Sequence, residues 1–362
     1  MGQSRFPRFL SALAFVMIIG IAYKVVDFVR LAYTPANPEN SNTVIIELRK
    51  GEGPNEIARF LTDQGVLRDP KNFIWLGRVT RKWKKLKVGE YEVSGKMTPM
   101  LIFHTLTSGV SLAHPLTLRE GENLYELAEE LEDKKLVSKS QFIALCKDTQ
   151  FLSRLKISNP PPKTAEGYLF PDTYYFNKKI TPEEIIYQMV RKFMTVWTPD
   201  FENKTKELGF NRHQIVTLAS MIEKETGAQE ERPMISSVFY NRLKIRMRLQ
   251  SDPTTIYGIW ERYNGNLKKA DLLNPTPYNT YTIAALPPGP IGNPGKEALH
   301  AALYPAKSDY LYFVSHNDGT HEFTTNFKDH ESAVRKFQMN RNARKGKSWR
   351  DLEKRTQAKP QR

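Results

Sequence analysis

A single cysteine, Cys146, stands in 362 residues. No intramolecular disulfide can form, so packing must hold the fold in either redox compartment. The apolar neighbours in QFIALC place that thiol at a buried helix position. Histidines are also few: His104, His114, His213, His300, His316, His321 and His330 show no HxxxH spacing on a helix, so no metal site is expected. They read as surface or turn residues, His321 in GTHEFTTN least clearly. G-x-S-x-G, the P-loop and G-x-G-x-x-G are missing as well, which removes the nucleophile elbow, the phosphate cradle and the dinucleotide fingerprint. No cofactor is expected.

Acidic residues are outnumbered, 39 Asp and Glu against 54 Lys and Arg, for a formal charge of +15. About half of that excess sits in residues 341–362, RNARKGKSWRDLEKRTQAKPQR. The stretch lacks apolar periodicity and reads as a solvated, disordered end. A second basic cluster, RKWKKLK at 81–87, interleaves only Trp83 and Leu86. Two isolated apolar residues read as anchors to a core and not as a base-stacking platform, so no nucleic acid is expected as a partner.

Long apolar runs are confined to one place, FLSALAFVMIIGIAYKVV at 9–26. Its length approaches the roughly 20 residues that span a bilayer, and Lys24 near its end can snorkel to the interface. Residues 1–30 therefore read as a cytoplasmic tip and an uncleaved transmembrane anchor, with membrane lipid as its partner; a cleaved signal with a small-x-small site at Gly20 and Ala22 is the alternative. LAYTPANPENSN, residues 31–42, reads as a linker.

An internal repeat at an offset of 70 follows. IELRKGEGPNEIARFLTDQGVLRD at 46–69 matches LTLREGENLYELAEELEDKKLVSK at 116–139, with identical pairs that include Arg49/Arg119, Gly51/Gly121, Glu52/Glu122 and Glu56/Glu126. Each copy predicts a short strand, a glycine turn and a helix. KVGEYEVSG at 87–95 adds a hairpin strand to the first copy, and MTPMLIFHTLTSG at 97–109 a helix stopped by Gly109. The strand, GxG-like turn and IAxxL helix resemble a LysM module, a small fold associated with binding the N-acetylated sugars of peptidoglycan and chitin. Residues 43–158 form this region in the sequence reading, and a purely structural spacer is the other possibility.

NPPPK at 159–163 is a rigid break, after which composition shifts to aromatic and polar motifs. Helices are predicted at about 182–197, 211–226 and 231–245. In the second of these, Asn211 is a plausible N-cap and Ile215, Leu218 and Ile222 form a stripe that extends to Glu225 in LASMIEKETG. At about 100° per residue, Glu225 lies within roughly 20° of Leu218, whereas Glu223 is turned about 200° away from Glu225. EKE is therefore not a two-carboxylate pair flanking one bond. Either both glutamates are solvated charges at a helix end, or Glu225 works alone in the more apolar setting that raises a carboxyl pKa. NRL at 241–243, LQSDPTTIYG at 249–258, PTPYNTYT at 275–282 and LPPGPIGNPG at 286–295 then supply Asn, Gln, Tyr and Thr in proline-punctuated loops, which suits a polyhydroxylated ligand.

EGYLFPDTY, ASMIEKET, SSVFYNRL, MRLQSDPTTIYG, PYNTYTIAALPPGPIGNPG and DYLYFVSHNDGTHEFTTN, in that order from Glu166 to Asn326, resemble the signatures of the endolytic murein transglycosylase family, of the YceG-like or MltG type. The anchor and LysM-like region extend the resemblance to nearly the whole chain. It implies an α+β chain: an N-terminal transmembrane helix, a LysM-like βα-repeat region, and a mixed α+β catalytic domain at 164–340 ahead of the 341–362 tail. The implied enzyme is a single-pass inner-membrane lyase with its catalytic domain outside the cytoplasm. It cuts nascent peptidoglycan strands internally between N-acetylmuramic acid and N-acetylglucosamine, leaves 1,6-anhydromuramoyl ends, and works beside peptidoglycan synthases. Glu225 aligns with the family's catalytic glutamate. Gln250, Asp252, Tyr278, Asn279, Thr280 and Tyr281 are the candidates for holding the sugar, with Glu223 and Asn241 in support. A muramidase-type hydrolase using Asp252 to activate water, and a non-catalytic wall-binding scaffold, are the alternatives.

Overall fold

The computed structural model describes residues 6–339, with side chains from residue 13 onward. The first residues of the expected tip and the expected tail at 341–362 lie outside them. Two compact units are present: the chain up to His114 with Tyr175–Lys179, and Pro115–Tyr174 with the chain from Ile180 onward. The cut falls between the two repeat copies, which the sequence groups in one region, 43–158.

The first unit begins with α1 (Phe6–Tyr33). Leu13, Phe15, Val16, Ile18, Ile19 and Ile21 on it are all more than half exposed. Among the described residues, however, no helix is long and apolar enough to cross a membrane. Residues 9–12 of the apolar run have no described side chains, and Lys24, Asp27 and Arg30 charge the rest of the helix. The span expected within residues 1–30 thus finds no support in the described part of α1.

After α1 come β1 (Thr43–Leu48), α2 (Pro54–Asp63), α3 (Pro70–Val79), β2 (Gly89–Ser94) and α4 (Pro99–Ser108). β2 pairs antiparallel with β1, from Thr43 opposite Ser94 to Leu48 opposite Gly89. It is not a hairpin strand as expected, because α2 and α3 intervene before the chain returns. α4 ends where Gly109 adopts a left-handed conformation, φ 77°, the usual glycine C-cap. Phe73 and Phe103 stack at 4.2 Å, and Trp83 meets both edge-on, so the basic cluster's tryptophan is a core anchor.

The repeat's identical residues have a structural reason. In each copy glycine turns the chain at positive φ, 96° at Gly51 and 81° at Gly121, where an L side chain is disfavoured. Glu52 and Glu122 then accept from the backbone N–H of Arg49 and Arg119 at 3.0 and 2.9 Å. Glu56 and Glu126 reach back to the N–H of Gly53 and Asn123 at 2.9 and 2.8 Å, the acidic half of a capping box.

The second unit runs through β3 (His114–Leu118), α5 (Leu124–Asp133), α6 (Lys139–Cys146), α7 (Thr149–Leu155) and β4 (Asp172–Phe176). β3 pairs with β4, and Cys146 is fully buried on α6. Next come α8 (Pro182–Val196), α9 (Pro199–Glu207), α10 (Arg212–Glu225), α11 (Arg232–Lys244), α12 (Asp252–Gly258), α13 (Lys269–Leu273) and α14 (Lys296–Leu303). The unit ends in an antiparallel hairpin, β5 (Tyr312–Ser315) with β6 (His321–Thr324), and α15 (Phe327–Val334). Small sheets among many helices make the chain mixed α+β.

α10 is the central element. Asn211 caps it, accepting from the N–H of Gln214 at 2.9 Å while the Gln214 side chain accepts from the N–H of Asn211 at 2.9 Å. Every residue from Ile215 to Ile222 is buried, so the helix is enclosed all round and not on a single stripe. Its polar residues are satisfied within the core: Thr217 and Ser220 donate back to carbonyls one turn earlier, and Ser220 also accepts from the N–H of Ile291 at 3.0 Å.

Candidate active site

The last residue of α10 is Glu225, and the chain leaves the helix at once into extended Thr226. Glu225 keeps a partly exposed surface, while its carboxyl accepts a 2.5 Å hydrogen bond from Ser251. Its pKa is raised to about 7: burial is the main cause, the nearby negative charge of Asp252 adds to it, and the Ser251 bond and Arg242 oppose it. The position also sits at the negative end of the helix dipole, which acts in the same direction as burial. The carboxyl is thus poised to hold and release a proton near neutrality.

Glu223, two residues earlier, has different partners. Its oxygens meet Arg232 at 2.5 Å and the N–H of Gly295 at 2.9 Å, and its side chain is only 5% exposed. Burial raises its pKa, opposed by the Gly295 bond and Arg232. The two glutamates therefore serve separate networks.

The wall opposite Glu225 comes from the loop into α12. Gln250 is exposed and left-handed, φ 52°, an uncommon conformation for a residue with a side chain. It donates its N–H to the carbonyl of Thr280 at 3.2 Å. The turn sets buried Ser251 against Glu225, and the Ser251 N–H is fixed by the Thr280 hydroxyl at 2.9 Å. Exposed Asp252 accepts from the Tyr281 hydroxyl at 2.6 Å. Burial and Asp252 push that phenol's pKa up, so it remains a donor.

Of the expected sugar-holding residues, Gln250, Asp252, Tyr278 and Tyr281 retain accessible surface. Asn279 and Thr280 are fully buried. The Asn279 amide donates to the carbonyls of Leu272 and Asn274 at 3.0 and 2.7 Å, and its oxygen accepts from Thr255 and the N–H of Tyr281. The Thr280 hydroxyl is shared between Thr254 and Ser251. These two side chains build the loop and offer no free polar group to a ligand.

Asn241 bonds elsewhere than to the carboxyl. It donates to the carbonyls of Ser308 and Tyr310 at 2.8 and 2.9 Å. Its neighbour Arg242, which the motif NRL contains but whose role sequence reasoning missed, is buried and donates to the carbonyls of Leu311 and Leu249 at 2.6 and 2.7 Å. Arg242 thereby fixes the residues that lead into Gln250 and Ser251. Ser251 was missed too, although it stands between two chosen residues in LQSDP. His321 bonds to Glu231 at 2.7 Å. Among the described residues no group of three His, Cys, Asp or Glu side chains is placed to hold a metal ion.

Ser251 offers a direct test of this geometry. Its hydroxyl favours the ionised form of Glu225, so Ser251→Ala is expected to raise that pKa further. The alkaline limb of kcat/KM should move up by about one pH unit, the worth of one hydrogen bond to a charged group. An unmoved limb would mean that Ser251 does not act on the carboxyl that sets it.

Residues 46–336 match the YceG-like family. The chain is 34% identical over 320 residues to the endolytic murein transglycosylase of Bacillus subtilis strain 168, covering 85% of this chain and 88% of that protein. It is 27% identical over 356 residues to the protein of the same name from Streptococcus pneumoniae strain D39, covering 90% of this chain and 64% of that one, so it spans under two thirds of the streptococcal protein. Among solved structures, a YceG-like protein from Listeria monocytogenes aligns at a TM-score of 0.56 and 31% identity, covering 81% of this chain and 99% of its own.

Proposed function

The chain belongs to the YceG-like family, and from that premise we propose that it is an endolytic peptidoglycan lytic transglycosylase whose working group is Glu225. The observation that carries the assignment is the carboxyl of a partly exposed residue, raised to about 7 by burial, whose partner Ser251 is neutral. Protonated Glu225 donates to the glycosidic oxygen between N-acetylmuramic acid and N-acetylglucosamine as the bond from that oxygen to C1 breaks through an oxocarbenium-like state. The carboxylate so formed takes the proton from the muramic acid C6 hydroxyl, whose oxygen attacks C1 of the same ring. One C–O bond breaks and one forms, the proton returns to Glu225, and no water is consumed. Because the nucleophile belongs to the substrate, positioning replaces activation.

Gln250, Tyr278 and Tyr281 are the accessible groups that hold the sugar, and Asp252 orients Tyr281 through their 2.6 Å bond. Asp252 also raises the pKa of Glu225 and so keeps the acid protonated. Mass spectrometry of glycan strands digested by the purified protein tests the reaction: 1,6-anhydromuramoyl ends are expected, and reducing ends would replace this reading with a muramidase in which Asp252 activates water.

Placement at the inner membrane is part of the same reading. The apolar run at 9–26 in the sequence, close in length to a bilayer span, is the ground for a single-pass anchor, with the rest of the chain on the extracytoplasmic side, where peptidoglycan synthases are the expected partners. The first unit, a strand pair with two helices between its strands, supports the LysM-like reading as a wall-sugar module. The full chain should stay with membranes through alkaline carbonate extraction; release by that treatment would remove the anchor.

A further inference from the structure

α12 links the Glu225 site to a second concavity. Ser251 and Asp252 open the helix beside the carboxyl, while Tyr257 and Gly258 close it about 9 Å further along at 1.5 Å per residue. There Tyr125, Thr164, Tyr257, Trp260, Arg262 and Tyr278 line a groove of about 650 Å³, within the range of small-ligand sites. Its walls are aromatic. The Tyr125 and Trp260 rings lie nearly parallel, 18° apart with centroids separated by 6.2 Å. Tyr257 stands 6.1 Å from Tyr125 and 4.8 Å from Tyr278. Its hydroxyl is held inward by Glu166 at 2.9 Å, which fixes the ring, and the Lys147 ammonium lies 5.1 Å from the Tyr125 centroid.

Tyr125, Trp260 and Tyr278 each keep exposed surface, and none of them bonds to Glu225, Ser251 or Asp252. Four large rings gathered around open space with Thr164 and Arg262 at the rim are apolar platforms with polar edges. That chemistry fits the C–H faces of pyranose rings and the hydroxyl and acetamide groups around them. Two stretches of chain tie the groove to the candidate active site: α12 runs from one to the other, and Tyr278 lies three residues before the Tyr281 that bonds to Asp252.

We propose that this groove is a remote subsite that holds N-acetylated pyranose units of the strand whose scissile bond lies at Glu225, a proposal that rests on the transglycosylase reading. Binding a strand some distance from the bond uses remote contacts to set the register of the cut. An enzyme that cuts internally has sugar on both sides of its acid, and the groove supplies a seat on one side.

The test labels the full-chain Glu225→Gln protein with 5-fluorotryptophan and titrates it with a tetramer of N-acetylglucosamine. The chain has five tryptophans, and the fluorine resonance that disappears in Trp260→Phe identifies Trp260. That resonance should shift and saturate, and Tyr125→Ala should weaken the midpoint about tenfold, the usual scale for losing a central aromatic contact. A Trp260 signal that stays fixed at saturating tetramer overturns the subsite, as does an unchanged midpoint in Tyr125→Ala. Strand cleavage by Glu225→Gln within tenfold of the parent would instead overturn the catalytic assignment without touching this readout.

Discussion

Glu225→Gln is expected to lower kcat/KM on glycan strands by about 10²–10⁴-fold, the usual worth of a positioned general acid. The amide keeps the size and polarity of the carboxyl and can still meet Ser251, so the loss falls on proton transfer and not on folding. The substitution replaces a group that is largely uncharged below about pH 7, and the variant should melt close to the parent in that range. Glu223→Gln should behave in the opposite way. Arg232 pairs with Glu223 at 2.5 Å, and both side chains are only 5% exposed, so neutralising one leaves a buried charge poorly compensated, at a cost of about 3–5 kcal/mol. Two neighbouring substitutions thus separate activity from stability. Activity within tenfold of the parent in Glu225→Gln, measured beside the thermal melts of both, would move the acid elsewhere.

The parent's pH profile follows from the same carboxyl. A general acid must be protonated in the free enzyme, so kcat/KM should fall as pH rises through about 7. A limb placed near the ordinary glutamate value of 4.5 would mean that the carboxyl is solvated and that burial by the Ser251 loop does not govern it.

Local chemistry made part of this arrangement readable before any coordinates. The Asn211 cap, the spacing from Ile215 to Glu225 and the glycine turns of both repeat copies depend on residues within a few positions of one another, so their geometry follows from helix periodicity and φ preference. Long-range contacts were opaque. LQSDP shows three polar residues in a row, and only the left-handed backbone at Gln250 decides that Ser251 is the one turned to Glu225. PYNTY likewise offers Asn279 and Thr280 as readily as Tyr278 and Tyr281, yet the amide and the threonine hydroxyl are consumed inside the loop. The second repeat copy looks like a sibling of the first, but the turn into its α5 is fastened to residues 42 and 171 positions further on. Leu124 donates to Glu166, and Asn293 reaches both Glu166 and the carbonyl of Glu122. No periodicity within the copy carries that information.

Glu166→Ala should cost the second unit about as much stability as Glu223→Gln, by a different route. The carboxyl is fully buried and accepts from the N–H of Leu124 at 3.1 Å, the hydroxyl of Tyr257 at 2.9 Å and the amide of Asn293 at 3.1 Å. Removing it strands three donors and leaves a cavity, a loss of about 3–5 kcal/mol. Burial also raises its pKa to about 8, against the opposing bonds from Leu124 and Tyr257. The folded state therefore keeps a proton that the unfolded chain releases above its ordinary value of 4.5. The resulting stabilisation is complete below pH 4.5 and is lost as pH rises through about 8, by about 5 kcal/mol in full at about 1.36 kcal/mol per unit of pKa difference. Glu166→Gln removes the titration while preserving the shape: its carbonyl can accept from Leu124 and Asn293, and its amide can donate to the Tyr257 oxygen. Denaturant unfolding at pH 5 and pH 8 should show the parent losing stability across that interval and Glu166→Gln staying nearly level once the other ionisations, common to both proteins, are subtracted. Equal slopes in the two proteins would mean that Glu166 is ionised in the fold, and that the donors around it outweigh its burial.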